Sequence, residues 1–261
     1  MNLPNRHIQN LLDCLTRSRL SFALYRLPWT DECYFVLQQS GDVEQLADIR
    51  ELNKKKGFVM APFLQSDHHP LIVIRPDITA YDWDETSEAI SSLECADALL
   101  TCKNQTEKLS PFVSEETDKE RYTQAFERFI TPLQKKHFQK LVLSRSSTKH
   151  INDDFSPLAA FVRACNNYPR MMIYLCHTPV SGTWVGSTPE ILLSGHGKEW
   201  HTVALAGTMP MQNEVMPMDW DKKNQDEQGY VADYIRRIIK KFGNKMNEKG
   251  PYTARAGQLV H

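Results

Sequence analysis

The chain lacks most of the features that settle a protein's class at a glance. No run of apolar residues approaches the ~18 that a membrane span needs. The N-terminal stretch MNLPNRHIQNLLDCL has no long apolar core and no small-residue cleavage site, so it does not read as a secretory signal. No sign of charge dominates: 31 Lys and Arg against 32 Asp and Glu leave a net charge of -1. That balance argues against a basic nucleic-acid binder and against an acidic disordered tail, so neither nucleic acid nor membrane is an expected partner. The cysteines (Cys14, Cys33, Cys95, Cys102, Cys165 and Cys176) include no Cys-x-x-Cys pair and sit mostly in apolar company, as in LLDCL and IYLCH. They read as buried free thiols of a cytoplasmic protein, neither a disulfide framework nor a metal site. Generic catalytic signatures are missing too: there is no Gly-x-Gly-x-x-Gly or Gly-Lys-Ser/Thr loop, no Gly-x-Ser-x-Gly elbow and no His-Glu-x-x-His. His68 and His69 are adjacent and would point to opposite faces of a strand, so they read as loop histidines.

What is present is an ordinary globular composition over 261 residues, enough for one large domain or two small ones. Ile8, Leu11, Leu12 and Leu15 mark one face of a helix over 4–18. SFALYRL (21–27) and CYFVLQ (33–38) read as a hairpin, followed by a helix over 42–54 and strands at 58–63 and 70–76. The segment 77–118 is polar and reads as a connection with a short helix around 86–99. Thr117 and Asp118 then open a long helix with Tyr122, Phe126, Phe129 and Ile130 on its apolar face. QKLVLSRSST (139–148), RMMIYLCH (170–177), SGTWVGSTPE (181–190), EILLSG (190–195) and WHTVALAGT (200–208) supply strands, Pro157 opens a helix, and another helix runs from Asp226 to about Asn247. Strands cluster, with helices between the clusters, which favours α+β over strict β-α alternation.

Four segments of the second half could carry chemistry. Lys140 opens the strand LVLS; a lysine at a strand start is usually solvated, but one pointing inward becomes a usable base as desolvation lowers its pKa. Glu190, after Gly186-Ser187-Thr188-Pro189, either ends a turn or is an acid held in a pocket. Ala204-Leu205-Ala206-Gly207-Thr208 is either a tight turn or a place where backbone N–H groups meet a ligand. Asp226 and Glu227, in KKNQDEQ, suit the start of a helix or a hard cation such as Mg2+; for Asp226 the helix-start reading is favoured.

Taken together and in order, KLVLSR, GSTPE, TVALAGT and WDKKNQDEQGYVADYIRRII resemble the chorismate-utilising enzymes, the isochorismate, salicylate, anthranilate and aminodeoxychorismate synthases. Members carry Lys-Val-Val-Leu-Ser/Ala-Arg, Gly-Ala-Ser/Thr-Pro-Glu, Thr-x-Ala-Gly-Thr and a helix beginning Lys-Asp-x-x-Glu-His. The resemblance implies an α+β chorismate-binding fold, with two large antiparallel sheets packed on each other and helices outside. It divides the chain into a divergent N-terminal part (1–110) and the first part of the catalytic region (111–261). Lys140 matches the lysine that activates water in isochorismate and salicylate synthases, where ammonia-using relatives have glutamine. Ala206 stands where aminodeoxychorismate synthases have a nucleophilic lysine. The implied activity is that of an isochorismate synthase, an isomerase serving menaquinone synthesis, with salicylate synthase or a siderophore pathway as alternatives; no amidotransferase subunit is expected.

The same resemblance implies Lys140 as base, Glu190 as acid, Glu227 as an Mg2+ ligand, Gly207 and Thr208 as backbone contacts to the substrate carboxylate, and Ala206 and His261 as further substrate-binding residues. Asn224 and Gln228 depart from the family pattern, which has Asp and His there. ARAGQLVH reads as a strand that stops at His261, before the segment in which relatives carry a carboxylate-binding arginine and a second metal-binding glutamate. The chain therefore reads as C-terminally truncated and is expected to be inactive, or active only when completed by another segment. A non-catalytic fragment is the reading from another class.

Overall fold

The structure, a computed structural model, describes residues 1–39, 42–93, 115–152, 154–243 and 245–261. The second half of the helix expected around 86–99 lies outside the described residues, as do Cys95 and Cys102. The chain forms two compact units. One joins Met1–Gln105 to Phe155–Pro189, and the other joins Thr106–Asp154 to Glu190–His261.

The first unit is organised around the strand β1 (Ser21–Arg26). It pairs antiparallel with β2 (Tyr34–Gln38) on one side and β7 (Met172–Thr178) on the other. The edges are β6 (Ile78–Tyr81), beside β2, and β8 (Gly182–Thr188), beside β7. Alternation along β1 and β7 decides what each face covers. Phe22, Leu24, Ile173 and Leu175 point to a core made with α1 (Arg6–Leu15) and α4 (Pro157–Asn167), which contribute Leu11, Leu12, Leu15, Leu158 and Phe161, and with Ile90 of α2 (Asp82–Ser91). Ala23 and Cys176 point the other way, onto Ile72 and Ile74 of a smaller antiparallel sheet. That sheet is built from β3 (Glu44–Leu46), β4 (Phe58–Met60) and β5 (Leu71–Ile74), with β5 in the middle. The first unit thus stacks helices, a five-stranded sheet and a three-stranded sheet.

Helix starts follow capping chemistry. The Asn5 side chain accepts from the Ile8 N–H at 3.1 Å, and Ser156 accepts from the Ala159 N–H at 2.9 Å just ahead of Pro157. Gly186 of the GSTPE stretch lies in β8 under the Tyr174 ring; a Cβ there would sit 2.1 Å from a ring carbon, so any side chain at this position would displace the ring.

Burial raises the Cys33 and Cys176 thiols to about 12, and the Cys165 thiol rises for the same reason. Among the described residues Cys33, Cys165 and Cys176 are buried free thiols, as expected, while Cys14 is only half-buried. No helix among the described residues is long and apolar enough to cross a membrane.

The second unit holds α3 (Glu115–Gln134), α5 (Lys222–Ile239) and short antiparallel pairs. β9 (Ser194–His196) pairs with β10 (Glu199–His201). β13 (Leu259–Val260) lies between β11 (Met209–Pro210) and β12 (Arg255–Ala256).

Several local expectations give way to tertiary pairing. The segment 42–54 forms β3 and a 3-10 turn (Ile49–Leu52) because β5 offers an edge for pairing and Asp48 makes a capping box with Glu51. The residues 139–148 are not in a strand: alternation is present, but among the described residues this stretch belongs to no ladder. EILLSG joins a ladder only at its end, as β9, around a tight turn at Gly197, whose φ of 58° suits glycine.

Candidate active site

The start of α5 gathers the polar residues of the second unit. Asp221 caps it by accepting from the Asn224 N–H at 2.8 Å. Asn224, Glu227 and Gln228 follow at spacings of three and four, so they share a face.

Along that face runs the segment 202–208. Of the strand expected over 200–208 only the first two residues join a ladder, as part of β10; beyond them the Val203 N–H donates to the Ile191 carbonyl at 3.3 Å, and the backbone of 204–208 is paired by side chains. The Gln228 carboxamide accepts from the Ala206 N–H and donates to the Ala204 carbonyl, both at 2.8 Å. An extended chain turns the C=O of one residue and the N–H of the residue two further on to the same side, and a primary amide offers the matching donor and acceptor. Gln228 therefore substitutes for a neighbouring strand. The Asn224 side-chain oxygen accepts from the Thr208 N–H at 3.2 Å. Between them Gly207 has a φ of +72°, and a Cβ would lie 3.1 Å from the Asn224 carbonyl oxygen, so both conformation and space call for glycine.

Glu227 links this segment to Lys140. Its Oε1 accepts from Lys140 Nζ at 2.8 Å, both side chains being about one-third exposed. The Lys140 hydrogen bond holds the Glu227 carboxyl below the usual carboxylate range. Partial burial opposes this, while the charges of Lys140 and Lys223 and the Gly207 N–H support it. Lys140 is thus half-buried, and less enclosed than a lysine base was expected to be.

Because the folded-state value of Glu227 is depressed, the stabilisation from the pair is present in full above the unfolded carboxyl value of about 4.3, and is lost as pH falls through the folded value. In a carboxyl-carbon NMR titration, Lys140→Met is expected to move the Glu227 midpoint upward, toward the ordinary value. An unmoved midpoint would show that Lys140 is not its principal partner.

Thr208 and Gly207 also meet His261. The Thr208 hydroxyl lies 3.1 Å from His261 Nδ1, and the Gly207 carbonyl 3.2 Å from the same nitrogen. Reciprocal backbone bonds at 2.8 Å between His261 and Ala254 close the β12–β13 hairpin and fix the histidine there.

The structure therefore brings together Lys140, Glu227, Ala206, Gly207, Thr208 and His261. Glu190 is exposed, in the irregular stretch after β8, and the bonds above do not include it. Asp226 pairs with Lys222 at 3.0 Å across one exposed helical turn. Asn224 and Gln228 belong to the cluster although their sequence positions suggested only departures from a pattern; the available signal was a pair of amides four residues apart at the start of a helix.

Among the described residues no group of three or more His, Cys, Asp or Glu forms a ready-made metal cage. Glu227 supplies a single carboxylate. That suits Mg2+ in the way this ion often binds, through one or two carboxylates with the remaining positions left to substrate oxygens and water.

Antiparallel sheets under helices, and a unit in which a lysine–glutamate pair meets a glycine turn, describe an α+β protein with the groups of an acid–base site. The chain belongs to the chorismate binding enzymes, whose family pattern it matches over residues 52–261. No match was found among the curated proteins. Among solved structures it is similar in fold to MenF, the menaquinone-specific isochorismate synthase from Escherichia coli. The identity is 15% and the TM-score 0.57, with all of this chain and 66% of that one covered. This chain thus spans slightly less than two thirds of that protein's length.

Proposed function

We propose that the chain acts on chorismate as an isochorismate synthase, with Lys140 as the base. The observation that carries this reading is the contact of Lys140 Nζ with Glu227, 2.8 Å apart, beside the Gly207–Thr208 turn and His261. Chorismate is a dicarboxylate with a poor leaving hydroxyl at C4. Adding water at C2 requires a base for the water proton and an acid for the departing hydroxyl. In this reading Lys140 takes the proton, Glu190 delivers one to the C4 oxygen, which leaves as water, and the Gly207–Thr208 turn with His261 orients the substrate. Glu227 holds Mg2+, which when bound supplies positive charge for the substrate carboxylate.

A role in menaquinone synthesis is favoured by the similarity to MenF, and a cytoplasmic location belongs to the same reading. Water as the nucleophile requires no amidotransferase subunit.

The test is to incubate the chain with chorismate and Mg2+ and separate the products. Isochorismate, from the chain alone or from the chain completed by another segment, is the expected product, and omitting Mg2+ should abolish its formation. Salicylate with pyruvate would replace this reading with a salicylate synthase.

A second reading, a non-catalytic chain, is favoured by the exposure of large apolar side chains in the second unit: Val142 is 76%, Leu192 84% and Leu193 65% exposed. It predicts no product under the same conditions.

A further inference from the structure

Asn224 is the buried residue of α5, 9% exposed, and with Gln228 it makes three hydrogen bonds to the backbone of 204–208. Neither amide has a part in the proton transfers above. Their partners are the Ala204 carbonyl and the N–H groups on both sides of Gly207, the residue whose carbonyl lies 3.2 Å from His261 Nδ1.

We propose that Asn224 and Gln228 are positioning residues of the chorismate site. They hold 204–208 against α5, so that the Gly207 carbonyl and the Thr208 hydroxyl stay on His261. The inference rests on the functional reading of Glu227 and Gly207–Thr208 given above.

The two amides are not equivalent. Gln228 must both donate and accept, which a carboxylate cannot do. Asn224 only accepts from Thr208, which a carboxylate can do equally well. Replacing Gln228 by a side chain of similar length without an amide leaves the Ala206 N–H and the Ala204 carbonyl without the partners seen here. The glycine at 207, with its freedom at positive φ, is then the point at which the segment turns away.

The experiment is amide hydrogen exchange by NMR on the whole chain, with the Phe22 and Leu24 amides of β1 as the control for unfolding, together with calorimetric titration of chorismate in Mg2+. Gln228→Met is expected to lower protection at Ala206, and Asn224→Leu at Thr208, by about tenfold or more, with β1 unchanged. Asn224→Asp is expected to retain protection at Thr208, a rescue that a merely space-filling role would not produce. Where Gln228→Met disturbs β1, Gln228→Ala, a good helix former, takes its place with the same expectation. Chorismate affinity should fall about tenfold along with the loss at Ala206.

Unchanged protection in Gln228→Met and Asn224→Leu overturns the proposal. So does loss of Thr208 protection in Asn224→Asp, or unchanged chorismate affinity when Ala206 protection is lost. If the wild-type chain binds no chorismate while the exchange pattern holds, the functional reading is what has failed, and the positioning role falls with it.

Discussion

Lys140→Ala is expected to slow isochorismate formation by about 10²- to 10⁴-fold, the usual contribution of a positioned proton-transfer group. Lys140 Nζ is held 2.8 Å from Glu227, on the helix whose Asn224 and Gln228 bond the backbone on both sides of Gly207, so the lysine stands near the turn proposed to face the substrate. The amine has two separable roles there, as a positive charge near a dianionic substrate and as a base toward water.

Lys140→Arg separates them. A guanidinium keeps the charge and the hydrogen bond to Glu227 but does not deprotonate in proteins. The account expects Lys140→Arg to turn over as slowly as Lys140→Ala while binding chorismate more tightly than Lys140→Ala does. Steady-state rates and calorimetric affinities on the three proteins check this. Arginine restoring the rate would assign Lys140 an electrostatic role instead.

Arg26→Met is expected to destabilise the first unit by about 3–5 kcal/mol, a large share of the ~5–15 kcal/mol that holds a typical domain. Arg26 ends β1 at 2% exposure, on the helix-covered face. Its guanidinium donates to the carbonyls of Tyr168, Pro169 and Met171 at 2.7, 2.8 and 2.9 Å, and to those of Leu27 and Thr30 at 3.3 Å. Three of these carbonyls lie just past the C-terminal end of α4, where the helix dipole favours a cation. Carbonyl dipoles stand in for a counter-ion. Removing the guanidinium takes this donor from all five carbonyls; those of Tyr168, Pro169 and Leu27 keep the N–H groups of Met171, Trp29 and Thr30, while those of Met171 and Thr30 are left turned inward, a larger penalty than the lost bonds themselves. Arg26→Lys is expected to recover only part of the loss, since an ammonium has three donors and lacks the planar fork that reaches five oxygens. Urea denaturation measures both variants. A loss below about 1 kcal/mol in Arg26→Met would mean that water replaces the guanidinium without cost.

Elements whose neighbours are dictated by their own pattern were legible. The spacing of Ile8, Leu11, Leu12 and Leu15 marks α1, and the double-sided burial of β1 and β7 follows from their unbroken apolar runs. The strand β6 was hidden in a polar stretch, because its place depends on pairing with β2. KLVLSR and TVALAGT carry strand-like patterns, yet a strand exists only where another backbone pairs with it. For TVALAGT the partner turned out to be the side chain of Gln228, 22 residues away from Ala206.

The candidate site was legible as a set of residue types in order. Its pairings were not: that Lys140 would meet Glu227, 87 positions on, is decided by folding. Asn224 and Gln228 drew notice only as departures from a pattern. Amides are uninformative until the backbone atoms they bond are known.

Lys140, Glu227 and the Gly207–Thr208 turn are proposed to form a chorismate site completed by Mg2+. Calorimetric titration of chorismate into the chain, with and without Mg2+, tests it most directly. The account predicts saturable binding at one site per chain, tightened by Mg2+, with the Mg2+ effect abolished in Glu227→Gln. Absence of binding in both conditions, or an Mg2+ effect that survives Glu227→Gln, would contradict it.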